Sequence, residues 1–561
     1  MPLQQLPIFN YYDRQRFRQF NPMDCANWYL VSNQGSKKGM AMYPAMGRHH
    51  VEYLNQNRLI FNVEPRALFR SIDYMYIIVG SQVYKVDRFF NVIALQNQDF
   101  TTAGGFLDFA FLPLIQKSGL NQFQRVFCML TNGVHCFVID EQNNTMTTVT
   151  DPNAPVQPRY VAAFGNRFAV SATNSTEFRL TQVNLGANYD PTDVFTISGS
   201  AVFAQEVGII RQMVVLHNQL YIFSDFRTGI WSNSPSSISS ASGAIPFPWR
   251  RNTSLEFDYG MADDNTLDVG FDMMVWLGQN RGGTVDFLMS NGQSVQEIST
   301  QAINTLLQRA TNEPDQIPFF LRNSSGFLYQ YENTVFYRAV AGLYSDEQIL
   351  DLSEQAACIE YNFDTKTWAR GIELNGSRNR IQKHAYFNNR HFVTVQGEGT
   401  VYEMGGQYYT NELRNPDQPN PQEDDAYIQY PFRYETITPI IAEENYEEFM
   451  TKLVQIDFVW GEASFINFYS SGFDYSDLNS PIYYAEFKPH VELYYSDNGG
   501  ISFYSAGTVE FSQLGVYSWR MRWYNLNCSR NRVYKLIVVS SAPIVILGGM
   551  METEIVSGGA Y

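Results

Sequence analysis

A two-strand pattern recurs through the first four hundred residues: an apolar strand, a tight Gly or Asn turn, and a Val/Tyr-rich strand. It appears at residues 76–87, 128–140, 214–225 and 392–404. Aromatic and β-branched residues that alternate around such turns indicate antiparallel hairpins. The pattern returns at roughly 45 to 60 residues, which is the spacing of four-stranded propeller blades. The sequence therefore predicts a β-propeller.

The rest of the chain extends this prediction to an all-β protein of several units. One stretch has helical spacing, with apolar residues from Ala302 to Ala310 behind the candidate caps Ser299 and Thr300. A polar stretch at 410–427 contains three prolines and is typical of an exposed linker. We expect an extended N-terminal segment over 1–70, a propeller over 71–407, a linker over 408–430 and a C-terminal β-sandwich-like domain over 431–561.

Composition limits the classes of function that this chain can have. The net charge of −17 disfavours a protein that grips DNA, because neutralising phosphates requires a dense Lys/Arg surface. The five cysteines are scattered without CxxC spacing, which favours free thiols made in a reducing cytoplasm over a disulfide framework. The first residues show no basic region followed by an apolar core, so no signal peptide is expected.

The sequence contains few features typical of an enzyme. The sequence contains no HExxH, GxxxxGK or GxSxG motif, and we expect no catalytic residue, metal site or cofactor. Residues 496–503 resemble one Asp-box of the sialidase propellers, where the box folds a hairpin turn away from the catalytic centre. A sialidase-like hydrolase would carry several boxes at blade spacing, so this is the least favoured alternative. The acidic pair Asp263 and Asp264 is interpreted as a solvated loop.

Two alternating basic rows stand out on this acidic chain. In residues 519–524 the arginines Arg520 and Arg522 alternate with Trp519, Met521 and Trp523, which places them on the opposite face of a strand. The second row consists of Arg14, Arg16 and Arg18 near the N-terminus. With the cations that follow residue 524, the candidate partner-docking residues are Arg14, Arg16, Arg18, Arg520, Arg522, Arg530 and Arg532. A solvated strand face explains these rows equally well, and the sequence leaves both readings open.

The whole chain resembles the tail hub, or nozzle, proteins of short-tailed bacteriophages, also called packaged DNA stabilisation proteins. The resemblance extends over nearly the full length and depends on the order of its motifs. These motifs are PLQQLP at 2–7, KGMAMYPAMG at 38–47, the series at 206–234, DYGMADDNTL from Asp258, EISTQAINTLL from Glu297, LYYSDNGGISFYSAG at 493–507, and the strand at 530–549. The region 465–489 and the loop near Pro421 depart from the family pattern.

The resemblance implies a structural, non-enzymatic part of a virion tail, made in the bacterial host cytoplasm. In that family the protein forms a ring, hexameric as a rule, below the portal and the head-to-tail adaptor, which the N-terminal segment would contact. The ring extends the DNA channel and helps to retain packaged DNA. Tail fibres or spikes and a plug or needle are the further expected partners, DNA passes without sequence-specific binding, and no stable membrane insertion is expected.

A receptor- or glycan-binding propeller is the alternative. Such a protein would place Trp231, Trp249 and Trp276 on an exposed end face, whereas a hub would keep them in its core or in subunit contacts.

Overall fold

The N-terminal segment runs in largely extended conformation in the computed structural model. The structure describes residues 4–15, 21–32, 39–51, 59–118, 121–182, 189–202, 208–233, 249–311, 324–341, 357–408, 410–414, 427–443, 447–460, 472–474, 477–482, 489–511 and 518–556. The first strands are β1 (Gln4–Gln5), β2 (Asp24–Ala26), β3 (Trp28–Ser32), β4 (Met40–Pro44) and β5 (Gly47–His50).

Four four-stranded antiparallel sheets follow in chain order, as the hairpin pattern predicts. The first contains β6 (Pro65–Arg70), β7 (Met75–Val79), β8 (Gln82–Val86) and β9 (Val92–Leu95). The second contains β10 (Asp108–Ser118), β11 (Asn121–Thr131), β12 (Cys136–Asp140) and β13 (Thr145–Thr148). The third contains β14 (Pro158–Phe164), β15 (Arg167–Ala172), β16 (Glu177–Thr181) and β17 (Phe195–Val202). The fourth contains β18 (Ile210–Leu216), β19 (Gln219–Ser224), β20 (Thr228–Asn233) and β21 (Trp249–Arg251).

Three more blades complete the ring. Blade five contains β22 (Gly260–Met261), β23 (Asp268–Gly270), β24 (Met273–Gln279), β25 (Val285–Ser290) and β26 (Val295–Glu297), and helix α1 (Gln301–Thr311) follows it. Blade six contains β27 (Ser325–Tyr331), β28 (Thr334–Ala341), β29 (Ala357–Asn362) and β30 (Thr367–Arg370). Blade seven contains β31 (Ile381–Phe387), β32 (Arg390–Val395) and β33 (Val401–Gly405).

Blade seven takes its fourth strand from the N-terminal segment. Strand β5 pairs antiparallel with β33, with His50 opposite Tyr402 and Gly47 opposite Gly405. A Cβ atom at position 47 would lie 2.4 Å from the carbonyl oxygen of Tyr408. The close approach of the segments around residues 47 and 408 therefore requires glycine at position 47. Pairing strands from the two ends of the repeat region closes the ring.

Apolar clusters between neighbouring blades hold the ring together. The described residues contain one such cluster for each of the seven junctions, including the junction between blades seven and one, where Phe392 and Val401 pack with Ile77. Helix α1 packs Ala302, Ile303 and Leu307 into the cluster of blades five and six. The predicted propeller is therefore confirmed, and α1 lies where the helical spacing predicts it.

The chain then forms a β-sandwich. The strands of this part of the chain are β34 (Thr410–Arg414), β35 (Tyr427–Ile437), β36 (Phe449–Trp460), β37 (Gly472–Asp474), β38 (Asp477–Ile482), β39 (His490–Ser496), β40 (Tyr504–Glu510), β41 (Ser518–Tyr524), β42 (Cys528–Ser529), β43 (Val533–Ser540) and β44 (Ile544–Ile555). Strands β37 and β38 form a separate two-stranded sheet. One sheet has the order β3-β4-β44-β36-β41, with β1 beside β44. The other has the order β2-β35-β43-β39-β40. Their facing side chains form one buried core that includes Trp28, Phe458 and Val538.

The N-terminal strands thus belong to both units. Strands β1 to β4 complete the sandwich and β5 completes blade seven. Arg48 of β5 is fully buried and donates to Glu373 at 3.0 and 3.2 Å and to the Tyr430 hydroxyl at 2.7 Å. Burial acts to raise the pKa of Glu373, but the charge and hydrogen bonds of Arg48, together with Arg380 and Tyr430, outweigh burial and lower that pKa. This buried ion pair ties the closing strand to both the propeller and the sandwich.

Candidate interaction surface

The basic row of β41 lies on the outer face of the sandwich. Met521 and Trp523 are buried in the core and Trp519 packs against it, while Arg520 and Arg522 point to solvent. Strict alternation of a pleated strand produces this separation, as the sequence predicts. The two arginines therefore form an exposed basic row, here called the β41 row.

Each arginine of the β41 row has a partner on the neighbouring strand β36. Arg520 Nε donates to Asp457 Oδ1 at 3.1 Å, and Arg522 Nε donates to Gln455 Oε1 at 3.0 Å. The Arg520 side chain is 58% exposed, so its ion pair is well solvated and contributes little to stability. The arginines retain donors that face outward and can bind a second partner.

Strand β41 is also the end strand of its sheet. In the part of the chain that the structure describes, β41 pairs with β36 alone and β40 pairs with β39 alone. The two end strands lie next to each other on one side of the sandwich. Unpaired backbone groups on an edge strand are a template for binding another chain, and charged side chains restrict which chain can bind.

The other predicted docking residues lie in different surroundings. Arg530 is exposed beside β42. Arg14 lines a cavity of about 200 Å³ together with Asp24, Arg370 and Lys535. Arg16 and Arg18 lie outside the described residues, so the predicted N-terminal row is described at Arg14 alone.

Arg532 is a correction to the predicted set, because its side chain is fully buried. Its Nε donates to Asp497 Oδ1 at 2.6 Å, and its Nη1 donates to the Leu526 carbonyl oxygen. The guanidinium also lies 4.8 Å from the centre of the Tyr495 ring. A buried guanidinium with these partners fixes the loops of the sandwich and offers no docking surface.

The turn at 496–503 joins β39 to β40, as the Asp-box resemblance implies. Ser496 Oγ accepts from the Gly500 N–H at 3.0 Å, and Asn498 Oδ1 accepts from the N–H groups of Ile501 and Ser502 at 3.2 and 3.0 Å. Gly499 and Gly500 have φ values of 71° and 83°. Short polar side chains and two glycines thus shape a hairpin turn next to the end strand β40.

The propeller axis contains a charged bridge that sequence reasoning missed. The first strands of the blades lie side by side around the axis. Asp264, in a 3-10 turn of blade five (Asp264–Thr266), accepts from Arg159 Nη2 at 2.8 Å and from the Tyr160 hydroxyl at 2.6 Å, both in β14 of blade three. Asn265 accepts from Lys383 Nζ of blade seven at 3.3 Å.

The interpretation of Asp263 and Asp264 as a solvated loop is therefore wrong. Asp263 is 3% exposed, accepts from the N–H groups of Asn265 and Ser324, and has its pKa raised to about 7 chiefly by burial. The partners of Asp264 come from blade three, and Asp263 accepts from Ser324 at the start of blade six as well as from Asn265 in its own turn. A local pattern cannot reveal the contacts to other blades. In the described ranges no group of three or more His, Cys, Asp or Glu side chains could hold a metal ion.

The fold and the edge define the class: the protein is a β-propeller, of seven blades in the described residues, that carries a β-sandwich with an open basic edge. No helix among these residues is long and apolar enough to cross a membrane. No protein-family model matches the chain, and no curated protein matches it.

Solved structures similar to the chain are very different in sequence. The Neurospora crassa Pan2 WD40 domain is 7% identical at a TM-score of 0.35, covering 65% of this chain and 95% of that one. Hydrazine synthase from Kuenenia stuttgartiensis is 10% identical at a TM-score of 0.28, covering 56% and 73%. A nidogen/laminin complex gives 9% identity and a TM-score of 0.28, covering 55% and 96%.

Proposed function

We propose that this protein is a structural, non-enzymatic ring subunit of a short bacteriophage tail, of the hub or nozzle kind. It attaches below the portal and adaptor, extends the DNA channel, helps to retain packaged DNA and supports tail fibres or a plug. Six copies form the ring, as in the family that the chain resembles. The observation that supports this role best is the open sandwich edge with its β41 row.

The β41 row is suited to a contact between subunits. Its arginines lie on an end strand of a chain whose net charge is −17. The acidic surface of a second copy of this chain is therefore a suitable partner for them. Complementary charge fixes orientation and register at an interface, and the edge supplies backbone hydrogen bonds. Truncating one member of a desolvated interfacial pair typically costs about 2 to 5 kcal/mol, enough to prevent ring assembly.

The acidic balance also suits a channel for DNA. A channel wall rich in Lys and Arg would bind phosphates and release counterions, which would oppose the exit of the genome. A negative wall repels the duplex and lets it slide. The net charge therefore favours passage over retention by binding, and retention depends on closure of the ring or on a separate plug.

A receptor- or glycan-binding propeller is the second candidate. Trp231, Trp249 and Trp276 are 7%, 4% and 0% exposed, so they do not form the exposed aromatic face that this alternative expects. The observation that favours a glycan-binding propeller is a cavity of about 460 Å³ beside blades six and seven. An aromatic ring and charged groups line it, from Tyr331, Arg390 and Glu403. Saturable binding to a glycan array that is lost on Tyr331→Ala would support this candidate.

Removal of the charges of the β41 row tests the ring proposal. Glutamine is the suitable replacement for Arg520 and Arg522, because glutamate would place a carboxylate next to Asp457. The matched control replaces the exposed blade arginines Arg88 and Arg281 by glutamine. We expect the double variant to fold, to lose the ring in native mass spectrometry and to give particles that package DNA and then lose it. Normal rings and DNA-filled, infectious particles from the double variant would refute the docking role.

A further inference from the structure

Three oxygen-bearing side chains meet at the outer part of blade five, in what is here called the blade-five cluster. Asp286 lies in β25, Glu297 ends β26, and Asn304 is the fourth residue of α1. Leu288 is opposite Glu297 in the sheet, so Asp286 and Glu297 are diagonal neighbours on one face. Asn304 Nδ2 donates to Glu297 Oε1 at 3.2 Å and joins the helix to the two strands.

Two oxygens of this cluster are shielded from solvent and have no hydrogen-bond partner within the described residues. They are Oδ1 of Asp286 and Oδ1 of Asn304. Asp286 is 4% exposed, and burying an unpaired carboxylate oxygen is costly. The carboxyl of Glu297 and the amide of Asn304 both lie within hydrogen-bonding distance of the Asp286 carboxyl, so two carboxylates that repel each other are held close together. Among the described residues the cluster thus gathers negative charge and unpaired oxygens, with no Lys or Arg side chain bonded to it.

We propose that the blade-five cluster binds a calcium ion through the carboxylates of Asp286 and Glu297 and the amide oxygen of Asn304, with water completing the coordination shell. A half-turn of the Asn304 amide exchanges Nδ2 for Oδ1 at the position that faces Glu297. The ligands are all hard oxygens, which calcium prefers and zinc does not. Calcium also tolerates irregular geometry better than magnesium does.

The position of the site explains what the ion does and how it enters. Glu297 is exposed, so the ion reaches the cluster from solvent. Its ligands come from β25, β26 and α1, so the ion links the helix to the edge of blade five. With two carboxylates and an open side, the site belongs with weak calcium sites of about 10⁻⁴ to 10⁻³ M.

Thermal unfolding and calcium binding of the full chain test this site, measured with EDTA and with about 5 mM CaCl₂, a concentration above such dissociation constants. We expect calcium to raise the Tm of the wild type and of the control Asp272→Asn, whose side chain is 95% exposed in the same blade. Asp286→Asn and Glu297→Gln should weaken calcium binding by at least about tenfold and lose the Tm increase.

The variants also separate calcium binding from a shared proton. In EDTA, Glu297→Gln should be at least as stable as the wild type, because the like-charge contact is gone, which shows that the variant is folded. No calcium-dependent increase in the wild type, or an equal increase in the wild type and both cluster variants, would overturn the site. Equal increases with CaCl₂ and MgCl₂ would overturn the assignment to calcium.

Discussion

Replacement of Asp264 by alanine should loosen the propeller, because this carboxylate bridges its axis. Asp264 Oδ2 accepts from Arg159 Nη2 at 2.8 Å and from the Tyr160 hydroxyl at 2.6 Å. Blade five supplies the carboxylate and blade three supplies both donors, so the contact passes blade four instead of joining neighbouring blades. The variant removes both hydrogen bonds at once.

The size of the effect follows from the burial of the partners. Tyr160 is 1% exposed, and a buried hydroxyl left without its acceptor costs about 1 to 3 kcal/mol. The Arg159 side chain is 30% exposed, so water replaces part of what the guanidinium loses. We therefore expect Asp264→Ala to lower the free energy of unfolding by about 2 to 4 kcal/mol.

Urea denaturation followed by tryptophan fluorescence measures this loss, since Trp231 and Trp249 lie in blade four and Trp276 in blade five. Tyr160→Phe should cost about 1 kcal/mol alone, and its double-mutant cycle with Asp264→Ala should give a coupling energy of about 1 to 2 kcal/mol. Asp272→Asn is the control, because its side chain is 95% exposed and asparagine tolerates the φ of 59° at this turn position. A difference of less than about 0.5 kcal/mol between Asp264→Ala and this control would refute the axial bridge.

Three further predictions concern the sandwich, blade five and the junction of blades four and five. Arg532→Met should destabilise the sandwich by about 2 to 4 kcal/mol in urea denaturation, because it leaves Asp497 and the Leu526 carbonyl without their donor. The control Arg530→Met, at an exposed position, should change stability by less than about 0.5 kcal/mol. Equal effects of the two variants would contradict the buried role of Arg532. Burial, and then the charge of Glu297, raise the pKa of Asp286 to about 6. In EDTA the stability that the neutral form of Asp286 contributes should therefore fall as the pH rises from about 4 towards 6, and Glu297→Gln should flatten that fall. A pH profile of the variant parallel to that of the wild type would contradict the effect of Glu297. Gly260→Ala should cost about 1 to 3 kcal/mol, because its Cβ would lie 2.2 Å from the Ser224 carbonyl oxygen, and an unchanged urea midpoint would contradict this close packing.

Local patterns predict the parts of this fold that local chemistry determines. The hairpins, helix α1, the turn at 496–503 and the alternation of Arg520 and Arg522 with the core residues all follow from side-chain periodicity and turn residues. Each of these features depends on residues a few positions apart, so the sequence contains the whole signal.

Long-range pairing determines the features that sequence patterns missed. Strand β5 is a short polar segment, and its partner β33 lies about 350 residues further along the chain. Asp264 and Arg532 have the composition of exposed loops, and their burial depends on partners brought to them by other blades and strands. Burial of a charge is decided by the complete fold, which local hydropathy does not encode.

Native mass spectrometry of the purified full chain, over a range of concentrations, tests the ring proposal most directly. We predict a closed assembly of six 64.4 kDa subunits that persists on dilution and disappears when Arg520 and Arg522 are replaced by glutamine. The control with glutamine at Arg88 and Arg281 should keep the assembly. A wild-type protein that remains a 64.4 kDa monomer at every concentration, also when mixed with its tail adaptor, would contradict a ring subunit.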